Sequence, residues 1–129
     1  MNEIQKKPIY SKLAEIYDHI MSDVDYAYWA EYIDDLLHQH HPEPTAITEL
    51  SCGTASLTLE LSKLGDYDLQ ACDASPDMVL VGSKKLDTLA QPIPCFEASF
   101  DNLLAIREQD ALISVFDSVN YLLQPGEIE

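Results

Sequence analysis

The chain has 129 residues, 47% of them hydrophobic, which is the length and composition of one globular domain. Seven basic and 23 acidic side chains give a formal charge of −16, which would repel phosphate backbones and anionic membrane surfaces. We therefore expect no direct binding to nucleic acid or to membranes. Because no apolar run approaches the roughly 20 residues that cross a bilayer, and the N-terminus lacks the core of a secretory signal, we expect a cytoplasmic protein.

The first forty residues predict two helices. Two sets of side chains recur at helical spacing: Leu13, Ile16, Tyr17 and Ile20, then Trp29, Ile33, Leu36 and Leu37. Residues 22–25, "SDVD", offer capping groups between the helices, and Pro42 and Pro44 end the second one. His38 and His41 could share a helix face, but no carboxylate or cysteine stands at a useful spacing, so we expect no metal site.

After Pro44 the pattern changes to strands that alternate with helices. The predicted strands are residues 46–50, 67–72, 93–98 and 111–116. One helix carries a stripe of Leu57, Leu61 and Leu64 and ends at Gly65; the other begins at the N-cap Ser75 and runs toward Leu89. Residues 102–108 form a short connection. This alternation predicts an α/β protein, a Rossmann-like three-layer sandwich with a mostly parallel sheet and right-handed crossovers.

The three cysteines are an odd number without a CxxC pair, which argues against a disulfide framework and against a zinc site. Cys52, Cys72 and Cys95 each lie in or just after a predicted strand. We therefore expect reduced, buried thiols.

Ligands of an open α/β sheet bind beyond the carboxyl ends of its strands. Gly53 would let the backbone of the first loop pass close to a ligand. Asp73 ends the neighbouring strand 20 residues later, at the distance where a carboxylate can accept hydrogen bonds from both hydroxyls of a ribose. The pair suggests a ligand of the adenosine type.

Four segments, in this order, resemble the class I S-adenosylmethionine-dependent methyltransferases. "YSKLAEIYDHIM" with "DYAYWAEYI" resembles the two lead helices of small-molecule methyltransferases, and "ITELSCGTASLTLELSKLG" resembles the first motif, usually E-L-G-C-G-T-G. "QACDASPDMV" is similar to the second motif, and "ISVFDSVNYLL" to the segment after the fourth strand. The resemblance extends over essentially the whole chain and implies the strand order 3-2-1-4 and S-adenosylmethionine as cofactor.

The resemblance also implies a set of cofactor-binding residues: Tyr17, Glu49, Ser51, Gly53, Asp73, Ala74, Met78, Ser99 and Asp117. Glu49 would orient the first loop near the amino-acid end of the cofactor, and Asp73 would hold the ribose. Met78 would lie near the adenine, Tyr17 would cover the cofactor, and Asp117 would contact the methionine part or the acceptor. No catalytic residue is implied. Taken singly, each could instead be a strand-end carboxylate, a helix cap or a core side chain.

Two departures from the family pattern concern small residues. Ser51 and Ala55 replace the first and last glycines of the motif, and either would be strained if its position needs a positive φ. Ser99 stands where the family often has an acidic residue for the adenine amino group, and Asp101 could substitute for it.

The predicted organisation is a helical lead, residues 1–44, and a partial Rossmann-like unit, residues 45–129. The chain stops after the fourth strand, whereas the family's sheet has seven, so we expect a fragment or a natural short form. The fourth strand would be an exposed edge, which suggests a homo-oligomer that pairs through it.

Three functions compete. The first is a methyltransferase, or its cofactor-binding part, acting on a small molecule. The second is a non-catalytic relative that serves as an oligomeric binding or assembly protein. The third, a nicotinamide dinucleotide enzyme, is weaker because the turn lacks G-x-G-x-x-G.

Overall fold

A computed structural model describes residues 9–41, 43–99 and 108–115 of the chain. Its helices are α1 (Ile9–Ile20), α2 (Tyr26–His40), α3 (Ser56–Leu61) and α4 (Pro76–Leu86). Its strands are β1 (Ala46–Leu50), β2 (Asp68–Asp73), β3 (Cys95–Glu97) and β4 (Ala111–Ile113). The expected alternation of strands and helices after Pro44 is confirmed.

The described strands form one sheet in the order β3-β2-β1-β4, and every neighbouring pair is parallel. On β1, Ile47 stands beside Leu69 of β2 and Ala111 of β4. Because the strands are in parallel register, their carboxyl ends meet at one edge. The predicted fold class and strand order are therefore confirmed.

The main core lies between this sheet and helices α2 and α3. Its buried side chains come from these two helices and from the first two strands: Ala30, Ile33, Leu37, Ile47, Leu57, Leu61 and Leu69. Burying a side chain such as Leu or Ile contributes about 1.5–3 kcal/mol, so this cluster is a major source of the fold's stability. It also fixes the position of β1, from which the first loop leaves the sheet.

Two helix starts follow from short polar side chains, as the sequence predicts. The Asp25 carboxylate accepts the backbone N–H of Tyr28 at 3.0 Å and begins α2. The Ser75 hydroxyl accepts the backbone N–H of Met78 at 3.3 Å, with Pro76 in the first turn of α4.

The predicted apolar stripes were partly wrong. α3 ends at Leu61, because the chain tightens into a turn in which the Leu64 N–H bonds the Leu61 carbonyl; Leu64 is therefore 39% exposed. Ile16 and Ile20 of α1 are 53% and 52% exposed, and Trp29 of α2 is 38% exposed. Spacing alone identified these helices but not which of their apolar residues face the core.

Several element ends also differ from the predictions. α4 ends at Leu86 rather than near Leu89. β3 covers only Cys95–Glu97; it begins after Pro94, which has no N–H to donate to a strand ladder. In the described part of the fourth strand, β4 ends at Ile113. The predicted connection at residues 102–107, and Phe116 and Asp117, lie outside the described residues.

All three cysteines are free thiols. Cys52 and Cys72 are buried, as expected, but Cys95 is partly exposed. None of the helices within the described ranges has the length and apolar character needed to span a membrane.

Candidate functional site

The first loop, residues 51–55, turns the chain from β1 into α3 through a left-handed backbone. Ser51, Gly53 and Ala55 have φ values of 53°, 58° and 65°. This region costs a residue with a Cβ atom about 1–2 kcal/mol. The strain anticipated for a positive φ at Ser51 and Ala55 is therefore present at both positions.

Asp73 ties the first loop to the end of β2. Its Oδ2 accepts the backbone N–H of Gly53 at 2.9 Å, and its Oδ1 accepts the backbone N–H of Ser75 at 2.9 Å. Each carboxylate oxygen can accept a further hydrogen bond, because it has two lone pairs. The Asp73 carboxylate is therefore held at the carboxyl edge of the sheet with acceptor capacity to spare.

Tyr17 of α1 lies against the first loop. A Cβ atom added at Gly53 would stand 3.4 Å from the Tyr17 hydroxyl oxygen, an ordinary van der Waals distance, so this ring lies directly over the loop. Burial and the nearby charge of Asp73 raise the Tyr17 pKa, and a hydrogen bond donated by the Tyr26 hydroxyl offsets part of this rise. Helix α1 thus lies over the carboxyl edge of the sheet, whereas α2 packs in the core.

A polar cluster missed by the sequence analysis holds α1 in this position. Asp18 Oδ1 accepts the Thr54 hydroxyl at 2.5 Å, and Asp18 Oδ2 pairs with Lys85 Nζ at 2.8 Å. Lys85 Nζ also contacts the hydroxyls of Thr54 at 3.2 Å and Ser56 at 2.8 Å. Burial opposes ionisation of Asp18, but the bonds from Lys85 and Thr54 lower its pKa overall. No sequence motif marks Asp18 and Lys85, which are 67 residues apart.

Glu49 is the penultimate residue of β1, just before the first loop, and is only 3% exposed. Its carboxyl group accepts the hydroxyl of Thr58 from α3. Burial raises the Glu49 pKa to about 8; hydrogen bonds from Thr58 offset part of this effect, and the charge of Asp73 adds to it. Glu49 thus joins β1 to α3.

The other residues expected in the site lie close to the ends of β2 and β3. Ala74 follows Asp73 and is exposed, and Met78 is buried in the first turn of α4. Ser99 follows Ala98, whose backbone N–H bonds the Asp73 carbonyl at 3.0 Å. Asp117 lies outside the described residues. In the described part of the chain, no three His, Cys, Asp or Glu side chains are grouped so that they could hold a metal ion.

The structure thus brings the Asp73 carboxylate, the turn that contains Gly53 and the Tyr17 ring together at the carboxyl edge of a parallel sheet. In open α/β sheets, ligands bind beyond this edge. The model of the ubiE/COQ5 methyltransferase family matches residues 1–119, and the chain belongs to that family. The family is one of the class I S-adenosylmethionine-dependent methyltransferases, whose methyl donor is S-adenosylmethionine.

Individual relatives agree with this assignment. The chain is 29% identical over 121 residues to YqeM of Bacillus subtilis (strain 168), covering 93% of this chain and 47% of that protein. It is 27% identical to a structure described as an S-adenosylmethionine-dependent methyltransferase from Clostridium acetobutylicum, with a TM-score of 0.75 over 94% of this chain and 49% of that one.

DesVI of Streptomyces venezuelae has the same fold, with a TM-score of 0.76, 22% identity and coverage of 95% of this chain and 50% of DesVI. The chain therefore spans about half the length of the relatives that it matches.

The left-handed conformation of Ser51 predicts that Ser51→Gly stabilises the protein. Relief of about 1–2 kcal/mol of strain exceeds the roughly 0.4–1 kcal/mol that glycine costs by loosening the unfolded chain. We expect the free energy of unfolding in urea to rise by about 0.5–1 kcal/mol. The matched control is Ser62→Gly at the end of α3, where φ is −62°; this change should destabilise. Equal effects of the two substitutions would contradict the strain argument.

The raised pKa of Glu49 predicts a pH-dependent gain in stability for Glu49→Gln. The folded protein binds more protons at this site than the unfolded chain between about pH 4.5 and pH 8, so the contribution of Glu49 to stability falls as the pH rises through that window. The difference in unfolding free energy between Glu49→Gln and wild type should therefore grow from pH 5 to pH 9 by on the order of 2–4 kcal/mol. An equal pH-dependent gain in Glu97→Gln, at an exposed position of β3, would contradict the burial argument.

Proposed function

We propose that this chain binds S-adenosylmethionine at the carboxyl edge of its sheet and acts as a methyltransferase, or as the cofactor-binding part of one, on a small molecule. The observation that carries the proposal is the Asp73 carboxylate, fixed at the edge by the N–H groups of Gly53 and Ser75. Two hydroxyls of a ribose can bond its remaining lone pairs.

The other parts of the cofactor fit the surrounding residues. Tyr17 would cover the bound molecule above the first loop, and Glu49 would stand beneath the loop, toward the amino-acid end. Met78 and Ser99 would border the adenine. Ser51, Ala74 and Asp117 complete the proposed set, as the resemblance implies. A sulfonium cation causes no electrostatic conflict in a chain with a net charge of −16.

Bound S-adenosylmethionine would supply a methyl group already activated by its sulfonium. Methyl transfer is an in-line displacement whose rate depends mainly on placing the nucleophile about 3 Å from the methyl carbon. The residues named above would serve this step by fixing the cofactor. The similarity of α1 and α2 to the lead helices of small-molecule methyltransferases supports a small-molecule acceptor.

Titration calorimetry with S-adenosylhomocysteine, the demethylated product, tests the cofactor proposal. We expect saturable binding to the wild-type chain and at least tenfold weaker binding to Asp73→Ala. The matched control is Asp68→Ala at the amino end of the same strand, which should bind like wild type. Circular dichroism would establish that each variant is folded. A folded wild-type chain that does not bind at millimolar ligand would refute the proposal and favour a non-catalytic binding or assembly role.

We also propose that β4 pairs with a second copy of the chain. Among the described strands, β4 pairs only with β1, so β4 is an edge strand of the described sheet. Leu112 of β4 is 52% exposed. Edge strands that carry unpaired N–H and C=O groups readily add another strand.

Light scattering of the purified chain tests this pairing. We expect twice the chain mass at high concentration, and a monomer for Leu112→Glu, which places like charges on both copies. Leu80→Glu is the control, because Leu80 of α4 is similarly exposed, at 57%, and is not part of the sheet. A monomeric wild-type chain would rule out pairing through β4.

A further inference from the structure

Two cysteines far apart in sequence meet beside the first loop. Cys52 is the second residue of that loop and Cys95 is the first residue of β3, and their sulfur atoms lie 4.0 Å apart. Both pack in one cluster with Ala55, Ala71 and Leu86. In the sheet, β2 lies between β3 and β1, the strand that leads into the first loop. The two thiols therefore meet across β2.

The third cysteine is separated from this pair. Cys72 packs with Leu50 and Ala98 in a different cluster. It stands beside Ala71, and successive residues of a strand point to opposite faces of the sheet. Ala71 is also the register partner of Cys95 on β3. Cys72 therefore faces away from the pair and serves as an internal control.

The packing around Cys95 leaves room for its sulfur atom. A Cβ atom added at Gly82 of α4 would stand only 3.2 Å from Cys95 Sγ, so the absence of a side chain at Gly82 accommodates the thiol. The Ser83 hydroxyl donates to the Cys95 carbonyl at 3.2 Å and fixes the backbone at the same point. A disulfide has a sulfur–sulfur distance of about 2.05 Å, so the thiols need to close by roughly 2 Å.

The two thiols differ in their exposure to solvent and in the direction of their pKa shifts. The hydrogen bond from Cys52 lowers the pKa of Cys95, whereas the same contact, together with burial, raises the pKa of Cys52. Cys95 is also partly exposed, while Cys52 is 7% exposed. Thiolate character combined with access to solvent favours reaction at Cys95, and a neighbouring thiol can then resolve the product.

We propose that Cys52 and Cys95 form a reversible disulfide when the chain meets a low-molecular-weight disulfide, RSSR. The Cys95 thiolate attacks one sulfur of RSSR, which forms a mixed disulfide and releases RS⁻. The Cys52 sulfur, as it loses its proton, attacks Cys95 Sγ, which forms the internal disulfide and releases a second RS⁻. In total, two protein thiols are oxidised to one disulfide and RSSR is reduced to two RSH. An excess of an external dithiol reverses both steps.

This bond would act on the first loop. Cys52 lies between Ser51 and Gly53, and its backbone N–H bonds the Cys72 carbonyl at 2.9 Å. Drawing its sulfur toward β3 displaces the neighbouring Gly53 from the N–H contact that it makes with Asp73. Oxidation should therefore weaken cofactor binding at least fivefold, an expectation that rests on the proposed function.

Counting free thiols tests the disulfide itself. The folded chain is incubated with oxidised glutathione, denatured and titrated with a thiol reagent. Wild type should fall from three thiols to one, and Cys72→Ser should fall from two to none. Cys52→Ser and Cys95→Ser should form no internal disulfide, and dithiothreitol should restore the wild-type count. Proteolysis followed by mass spectrometry should find the peptides of Cys52 and Cys95 joined, with a mass two hydrogens lower.

Three results would overturn the proposal: a wild-type chain that keeps three thiols, a disulfide that includes Cys72, or oxidation that only links separate chains. Calorimetry with S-adenosylhomocysteine on the oxidised and reduced forms then tests the effect on the loop. Equal affinities would refute that effect. If neither form binds while the thiol count falls to one, the proposed cofactor site fails and the disulfide stands.

Discussion

The left-handed backbone of residues 51–55 is the constraint on which the rest of the site depends. Three alternate residues, Ser51, Gly53 and Ala55, have positive φ, and only one of them is a glycine. This course of the chain points the Gly53 N–H at Asp73 and places Thr54 against α1. A more extended backbone between β1 and α3 would lose both contacts, and the loop would then no longer connect the end of β2 to α1.

The strain of the loop is offset by hydrogen bonds to charged groups. Ser51 and Ala55 together cost about 2–4 kcal/mol on the usual scale for left-handed residues. Each hydrogen bond to a charged group contributes about 1.5–3 kcal/mol, and the loop makes two such bonds, from the Gly53 N–H to Asp73 and from the Thr54 hydroxyl to Asp18. Two carboxylates are therefore sufficient to hold a turn in which two of the three left-handed residues carry side chains.

Much of the fold could be predicted from sequence because its signals are local. β1 is bounded by Pro44 and by the small residues of the first loop, and α4 begins at a serine followed by proline. The ion pair between Asp18 and Lys85 could not be predicted, since the two residues are 67 positions apart in the sequence and no motif marks either of them. Leu64 was misplaced for a different reason, because α3 ends in a tight turn in which the Leu64 N–H bonds the Leu61 carbonyl, and the spacing of apolar residues does not mark that turn.

Burial raises the pKa of Glu49 to about 8, and the charge of Asp73 adds to this shift, so both favour the protonated form of Glu49. A cation at this edge would reverse the preference, because a positive charge nearby favours the carboxylate form of Glu49. Burial makes the ionised form of Glu49 unfavourable when no ligand is bound. The same loss of solvent would strengthen the attraction of the ionised carboxylate for a sulfonium or an ammonium group. A ligand that brings its own positive charge would therefore be favoured wherever it lay beside Glu49.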